Sequence, residues 1–172
     1  MIITRSWCMP NKNTFKIKPI KEFIDRVINS NSPNVIIEPF ANTSQYGTIT
    51  NDLNPEFNTT YNLDALDFLK LLGDETADMV LYDPPFSSRQ VSECYKSVGK
   101  IPEGNYTTAA FWSRQKDEIS RILKPGGIVM SFGWNSNGIG KSRNCFIEEI
   151  LMVAHGGPHN DTIITQERKI LS

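Results

Sequence analysis

Residues 79–86 of the 172-residue chain have the sequence Met-Val-Leu-Tyr-Asp-Pro-Pro-Phe. The apolar part, 79–82, predicts a buried strand. The next four residues predict a rigid turn, because proline fixes φ and has no N–H to donate. Open α/β sheets bind ligands at the carboxyl ends of their strands. At that end, the Asp83 carboxylate, the Pro84 carbonyl and the flat Phe86 ring predict a receptor for an amino group on a planar ring.

Strand and helix patterns alternate along the rest of the chain. Apolar spacing predicts helices at 18–30 and 63–72, a third helix from about Phe111 that stops at 124–127, and strands at 34–38, 48–51, 78–82, 128–132, 146–153 and 162–166. This alternation predicts an α/β fold, with a mostly parallel sheet covered on both faces and the last two strands as an antiparallel hairpin at one edge. The early strands lie so close together that we expect turns rather than helical crossovers between them.

The overall composition limits the classes of protein to which this chain can belong. With 39% hydrophobic and 22% charged residues, the chain is typical of one folded domain. No apolar run approaches the length of a membrane span, and the first residues do not resemble a signal peptide. Three cysteines far apart in sequence suggest free thiols, so we expect a cytoplasmic protein. The net charge of −1 restricts any contact with nucleic acid to a local basic patch.

Asp83-Pro84-Pro85-Phe86 resembles the [Asn/Asp/Ser]-Pro-Pro-[Tyr/Phe/Trp] signature of amino-methyltransferases that use S-adenosylmethionine. The form of this signature that begins with Asp is most typical of methyltransferases that act on adenine in DNA. The resemblance covers the chain from about Trp7 to Glu167 and is closest to small enzymes of phage and mobile-element type. It implies a Rossmann-like class I methyltransferase fold with compact early crossovers, and S-adenosylmethionine as cofactor.

The resemblance also assigns cofactor contacts after the first two of these predicted strands. Residues 38–42, Glu38-Pro39-Phe40-Ala41-Asn42, stand where the family has Asp-x-Phe-x-Gly-x-Gly. Glycine is absent until Gly47, and Asn42 is expected to replace it in part, because asparagine tolerates left-handed backbone. Asp52 and Asn54 resemble the second motif, whose acid accepts hydrogen bonds from ribose hydroxyls. Taken alone, these segments are also consistent with a polar turn at a strand end and with an Asx turn.

Three further residues, in two flanking segments, are candidates for cofactor contacts. Asp64 is well placed to cap the helix 63–72, and with Ala65 it corresponds to the family's contacts to the adenine of the cofactor. Phe15 lies in a segment that resembles the one before the first motif. It is expected either near the cofactor or in the core.

The chemistry at the turn follows from its acceptors. An exocyclic amine on a purine is a poor nucleophile because its lone pair is delocalised. If Asp83 and the Pro84 carbonyl accept its N–H groups, the nitrogen becomes more tetrahedral, and catalysis then consists of positioning and electrostatics. Pro85 stiffens the turn, and Phe86 is the expected stacking platform for a flipped base. No metal ion is expected.

The segment 87–106 is expected to form a loop or lid on the rim of the active site. Ser87, Arg89 and Gln90 are the predicted substrate contacts in it, and Trp134 is predicted to face the same rim.

Basic and histidine residues complete the set of candidates. Lys141 and Arg143 lie where they could reach phosphates. His155 and His159 have no cysteine or acid cluster nearby, so we interpret them as turn residues rather than metal ligands.

The leading hypothesis is methylation of adenine in DNA. No separate target-recognition domain fits in 172 residues, so specificity would come from the rim, from a homodimer or from a partner subunit. Two alternatives remain at this stage. One is a methyltransferase that acts on RNA or a protein amide, and the other is an inactive binding or scaffold protein with the same fold.

Overall fold

A mixed sheet of seven strands forms the centre of the computed structural model, which describes residues 1–101 and 109–170. The strands are β1 (Ile2–Trp7), β2 (Ile36–Glu38), β3 (Ile49–Thr50), β4 (Ala77–Tyr82), β5 (Leu123–Gly133), β6 (Cys145–Ala154) and β7 (Thr162–Lys169). Their order in the sheet is β1-β6-β7-β5-β4-β2-β3. Strand β7 is antiparallel to both β5 and β6, and the other pairs are parallel.

Helices cover both faces of this sheet. They are α1 (Lys18–Asn31), α2 (Ala65–Leu71), α3 (Ser88–Ser97) and α4 (Ala109–Ile122). Strand β4 shows why both faces are covered, since Met79 and Leu81 belong to the core beneath α1, whereas Val80 and Tyr82 belong to the core beneath α2 and α4. A strand buried on both faces has no polar alternation, as its sequence indicates. In the described part of the chain, no helix is both long and apolar enough to cross a membrane.

The predicted fold class is confirmed, including the antiparallel pair β6–β7. Residues 39–48 and 51–64, all of them described, contain no helix, as the short spacing predicted. Strand β1 was not predicted. It pairs with the outer side of β6 and is therefore one edge strand of the sheet, with β3 at the opposite edge. Because most of its side chains are exposed, its sequence carries no burial pattern.

The predicted end of the third helix is wrong in detail. Helix α4 ends at Ile122, and Leu123 already pairs with Ala77 as the first residue of β5. Residues 124–127 then form a bulge within the strand, since the next pair is Met79 with Ile128. The glycines permit this bulge, and Gly126 has a φ of 79°.

The prediction of a rim loop over 87–106 is also wrong for its first half. Residues 88–97 form helix α3, whose N-cap is Ser87, and the Ser87 hydroxyl accepts a hydrogen bond from the Gln90 amide. Val91 is its one buried residue, so the segment has the polar composition of a loop. Residues 102–106 of the predicted lid lie outside the described residues.

Candidate active site

A cavity of about 630 Å³, called the main cavity below, opens at the carboxyl ends of β2, β3 and β4. It collects more than half of the predicted site residues, because the turns that follow these parallel strands meet at one edge of the sheet. Those on its wall are Phe40, Asn42, Asp52, Asp64, Ala65, Asp83, Pro84, Pro85, Phe86, Gln90 and Trp134.

A side cavity of about 460 Å³ shares Phe40, Asn42 and Asp83 with the main cavity. Phe15 and Ala41 line this side cavity. The Phe15 ring also packs against Phe132, with ring centroids 4.8 Å apart. Phe15 therefore borders a cavity and supports the core at once.

Five predicted site residues line neither of these two cavities. Asn54 accepts a hydrogen bond from the Glu56 amide, Ser87 caps α3, and Arg89 pairs with Glu93 on the surface of that helix at 2.8 Å. The other two are Glu38, the last residue of β2, and Pro39, the first residue of the loop that follows. These five are Glu38, Pro39, Asn54, Ser87 and Arg89.

Glu38 is a buried carboxylate at the end of β2. One oxygen accepts a hydrogen bond from the Ser44 hydroxyl at 2.8 Å, and the other has no partner among the described residues. Burial raises the pKa of Glu38 to about 7, with a small contribution from Asp83. A Cβ at Gly47 would lie 2.7 Å from the Thr50 methyl and 3.1 Å from the Glu38 side chain. The absence of a side chain at Gly47 therefore leaves room for the Glu38 side chain.

Asn42 adopts the left-handed backbone that was predicted for it, with a φ of 50°. Its amide donates to one Asp52 carboxylate oxygen at 2.8 Å, and the Asn54 amide donates to the other at 2.9 Å. Burial raises the pKa of Asp52 despite these two hydrogen bonds. The loops after β2 and β3 are thus tied together by one carboxylate on the cavity wall.

Asp64 caps α2 as predicted, since its carboxylate accepts a hydrogen bond from the Leu66 amide at 2.8 Å. Its second oxygen accepts a hydrogen bond from the Tyr95 hydroxyl. Tyr95 belongs to α3 and was not predicted as a site residue. Helix α3 therefore contacts the acid that the resemblance assigned to cofactor adenine.

The Pro-Pro turn is held from both sides by helices. The Trp112 indole N–H of α4 donates to the Pro85 carbonyl at 2.9 Å, and the Phe86 amide donates to the Gln90 side chain of α3 at 2.6 Å. Among the described residues, none donates a hydrogen bond to the Pro84 carbonyl. The fixed turn thus keeps the Pro84 acceptor available.

Asp83 has the environment expected of a functional carboxylate. The residue is half-buried and borders both cavities, and burial raises the pKa of its carboxyl group to about 7. A hydrogen bond with the Thr14 side chain acts in the opposite direction. A cationic ligand in the cavity would favour the ionised form.

The backbone of the chain is similar to those of several solved structures. Neither a protein-family model nor a curated protein sequence matches the chain. Solved structures do match. N-methyltransferase NodS from Bradyrhizobium japonicum in complex with S-adenosylhomocysteine is 11% identical, with a TM-score of 0.57 over 92% of this chain and 89% of NodS. A SAM-dependent methyltransferase from Methanosarcina mazei is 11% identical, with a TM-score of 0.53 over 85% and 98%.

A third match binds both a substrate and a cofactor product. The 1,6-didemethyltoxoflavin-N1-methyltransferase of Burkholderia thailandensis, with bound 1,6-didemethyltoxoflavin and S-adenosylhomocysteine, is 11% identical, with a TM-score of 0.51 over 85% of this chain and 76% of that one. The chain has the methyltransferase fold. At these identities the likeness concerns the backbone alone.

Two aromatic rings stand at the mouth of the main cavity of this methyltransferase fold. The Phe86 and Trp134 rings meet edge to face, with centroids 5.6 Å apart. Trp134 is 41% exposed, so its face remains accessible. Such a pair can hold a planar ring by stacking on one face and edge contact on another.

His155 serves as a structural residue on the same wall. Its Nδ1 lies 2.7 Å from the Cys8 carbonyl oxygen, which can only accept, so Nδ1 carries the proton and Nε2 accepts from the Thr162 hydroxyl at 2.8 Å. These bonds anchor the connection between β6 and β7. Within the described ranges, no cluster of three or more metal-ligating side chains occurs.

Proposed function

We propose that the chain is an S-adenosylmethionine-dependent methyltransferase that methylates the exocyclic amine of adenine in DNA. One observation carries this proposal. Asp83 and Pro84 both line the main cavity, on a turn that two helices hold in place and beside the aromatic rings of Phe86 and Trp134. An amino group on a planar ring that stacks there would meet two acceptors, the Asp83 carboxylate and the Pro84 carbonyl.

The charge of the main cavity fits the cofactor. Four acidic residues and a single lysine are among its lining residues: Asp52, Asp64, Asp83, Glu93 and Lys12. The unpartnered oxygen of Glu38 adds negative charge close to Asp83. When bound, S-adenosylmethionine supplies a methyl group on a positively charged sulfur, and such a cation offsets the cost of these desolvated carboxylates.

The predicted cofactor contacts divide between the two cavities. Asp52 would accept hydrogen bonds from the ribose hydroxyls, and Asp64 with Ala65 would contact the adenine ring of the cofactor. The loop that contains Phe40 and Asn42 would lie along the amino-acid end, next to Phe15 and Ala41 in the side cavity. Pro39 would shape this loop and Asn54 would orient Asp52, since neither lines a cavity.

The residues of the turn would then have the following roles in methyl transfer. Asp83 and Pro84 accept the two N–H bonds of the target amine, which makes the nitrogen lone pair available toward the methyl carbon. As the N–C bond forms, the methyl–sulfur bond breaks and its electrons remain on sulfur. The methylated nitrogen is acidic and releases its proton to Asp83 or to water. Because positioning dominates this step, the fixed turn is the main contribution of the protein.

The substrate assignment rests on the aromatic pair and on Asp83. The aromatic surface formed by Phe86 and Trp134 suits a nucleobase better than a protein amide, because stacking on an aromatic ring contributes about 1–3 kcal/mol per base. The acid at position 83 is typical of the adenine enzymes that this chain resembles, which act on DNA. Recognition of the surrounding sequence would come from Gln90, Ser87 and Arg89 on α3, or from a second copy or a partner subunit.

The test is transfer of radiolabel from S-adenosylmethionine to adenine-rich DNA, with RNA and a protein extract as parallel substrates. Wild-type protein is expected to label DNA that digests to methylated adenine. Asp83→Ala should lower the label at least about a thousandfold, because it removes the acceptor of the target amine. Asp67→Asn, a change of an exposed acid, is the matched control and should keep full activity.

Other outcomes of this experiment would contradict the proposal at different levels. Label confined to RNA or protein would keep methyl transfer and replace the substrate. Folded protein that fails to bind S-adenosylhomocysteine in calorimetry would favour the inactive scaffold.

A further inference from the structure

A third cavity, of about 490 Å³, lies on the other side of the Pro-Pro turn and is called the rear cavity below. It shares Pro84, Pro85, Phe86 and Trp134 with the main cavity. The turn is therefore a wall between two spaces. Phe86 and Trp134 border both spaces, so a ligand on these two rings lies next to the rear cavity as well as the main one.

The charge of the rear cavity is the opposite of that of the main cavity. Among the described residues, its wall includes two cations, Lys116 and Arg143, and no acid. The chain as a whole has 18 basic and 19 acidic residues, so this distribution does not reflect a basic protein. Asn135, Asn137 and Ser113 add polar side chains to the wall.

Lys116 is the cation that lacks a partner. It is partly buried on α4, and within the described residues its ammonium group forms neither an ion pair nor a hydrogen bond. A desolvated ammonium without an anion is costly. Arg143, by contrast, already pairs with Asp117 at 2.7 Å and donates to Ser113 and to the Ile139 carbonyl. Arg143 thus adds positive charge, whereas Lys116 has donors free for a ligand.

The charge of Glu167 acts on Lys116 without a hydrogen bond between the two, because the Glu167 carboxylate oxygens accept hydrogen bonds from other groups. Its carboxylate is fully buried and accepts hydrogen bonds from the Ile139 and Gly140 amides at 2.6 and 2.9 Å. It forms no ion pair with Lys116. The hydroxyl of Ser131 on the cavity wall likewise has no hydrogen-bond partner among the described residues.

We infer that the rear cavity binds the phosphate of the nucleotide whose base lies at Phe86, with Lys116 as the direct ligand. This inference rests on the proposed function, because it assumes a nucleobase on the aromatic pair. A phosphate is the anion that a nucleotide carries one sugar away from its base. Lysine binds phosphate as a point charge, which suits a single ammonium in a roomy cavity.

A phosphate site at Lys116 would restrict the class of substrate that the protein accepts. The site would select nucleotides, as in a nucleic-acid strand, over free bases, nucleosides and amides. The near-neutral net charge of the protein is then no obstacle, because the positive charge is placed where the one relevant phosphate enters.

The test compares deoxyadenosine with its 3′- and 5′-monophosphates by equilibrium dialysis, at saturating S-adenosylhomocysteine. At least one monophosphate should bind about tenfold more tightly than the nucleoside, as expected for one charge-assisted hydrogen bond. Lys116→Gln should reduce this preference to within about twofold and leave nucleoside affinity unchanged. Lys70→Gln, a change of an exposed lysine on α2, is the matched control and should keep the preference.

The inference is overturned if neither monophosphate binds better than deoxyadenosine, or if Lys116→Gln keeps the preference. It is also overturned if inorganic phosphate alone binds as tightly as the monophosphates, since the site would then hold a free anion. Affinity for S-adenosylhomocysteine, measured on the same samples, checks folding of each variant. Loss of that affinity in the wild type would contradict the proposed function, whereas the monophosphate ratio judges the phosphate site alone.

Discussion

The main and rear cavities lie back to back on one turn and differ in charge. Among the described residues, the main cavity has four acids and one lysine on its wall, whereas the rear cavity has Lys116 and Arg143 and no acid. Both share the wall formed by residues 84–86. The difference shows that the turn separates two electrostatic environments within the length of one side chain.

This separation suits a reaction between ligands of opposite charge. A sulfonium cofactor is attracted to the acidic side, and a nucleotide phosphate to the basic side. The wrong arrangement would place a phosphate beside Asp83 or a sulfonium beside Lys116, and each would be repelled. The charges thereby orient both ligands toward the turn.

Among the variants that test this difference between the cavities, the largest effect is expected from removing the hydrogen bond between Trp112 and the Pro85 carbonyl. Trp112→Phe keeps the aromatic body but removes the N–H that donates to the Pro85 carbonyl at 2.9 Å. We expect kcat for methyl transfer to fall about 10- to 100-fold, because a small misplacement of the Pro84 acceptor is enough to slow a step that depends on positioning. KM for DNA and the Kd of S-adenosylhomocysteine should stay close to the wild-type values.

The control for this variant is Trp7→Phe, a change of an exposed tryptophan on β1. It should leave kcat unchanged. If Trp112→Phe weakens binding of S-adenosylhomocysteine as much as it lowers kcat, Trp112 merely stabilises the fold.

An effect of intermediate size is expected for the pH dependence of cofactor binding, which tests the acidic charge of the main cavity. Burial raises the pKa values of Asp83 and Glu38 to about 7, so both carboxyls gain negative charge as the pH rises through neutrality. A cationic ligand must therefore bind more tightly above that pH than below it. The ratio of the Kd values of S-adenosylmethionine and S-adenosylhomocysteine isolates the sulfonium, since the second molecule has a neutral sulfur. This ratio should rise about tenfold from about pH 8.5 to about pH 5.5.

Asp83→Asn provides the internal check, because it removes one of the two titrating carboxyls. The variant should show a much smaller change of the ratio over the same range. A ratio that does not depend on pH in the wild type would show that the sulfonium lies away from both acids.

The smallest effect is expected at the contact between α3 and Asp64. The Tyr95 hydroxyl occupies one Asp64 oxygen, and burial together with this hydrogen bond raises the pKa of Tyr95, so the hydroxyl keeps its proton. Tyr95→Phe frees that oxygen for the cofactor and should tighten binding of S-adenosylhomocysteine about threefold. Tyr61→Phe, a change of a partly exposed tyrosine, is the control. Weaker binding by Tyr95→Phe would mean that Tyr95 orients Asp64 instead of competing for it.

Local sequence predicted the turn well because its determinants are local. Two prolines after a buried strand specify a rigid turn from local sequence alone. Asn42 was predicted for the same reason, since its left-handed backbone is a property of one residue. The residues that hold or complete the site could not be predicted, because their roles depend on contacts between distant segments. Trp112 and Lys116 are such residues, and their positions on α4 give no sign of the turn they face.

Helix α3 and strand β1 show a second limit. Each has few buried residues, so neither carries the periodic apolar pattern from which helices and strands are inferred. Helix α3 depends on its Ser87 cap and on contacts to Asp64 and Phe86. Strand β1 depends on pairing with β6. Elements that are stabilised mainly by hydrogen bonds to other parts of a protein leave little trace in composition.

The position of the tryptophans has a spectroscopic consequence. Two of the three, Trp112 and Trp134, flank the turn and line the rear cavity, while Trp7 lies on the edge strand β1, lines neither the main nor the rear cavity and is 64% exposed. Indole emission responds to local polarity and to stacked rings that quench it. A base at Phe86 would therefore change the fluorescence of two tryptophans against a constant background from the third. The protein thus carries its own optical reporter for the arrival of a substrate, without a label.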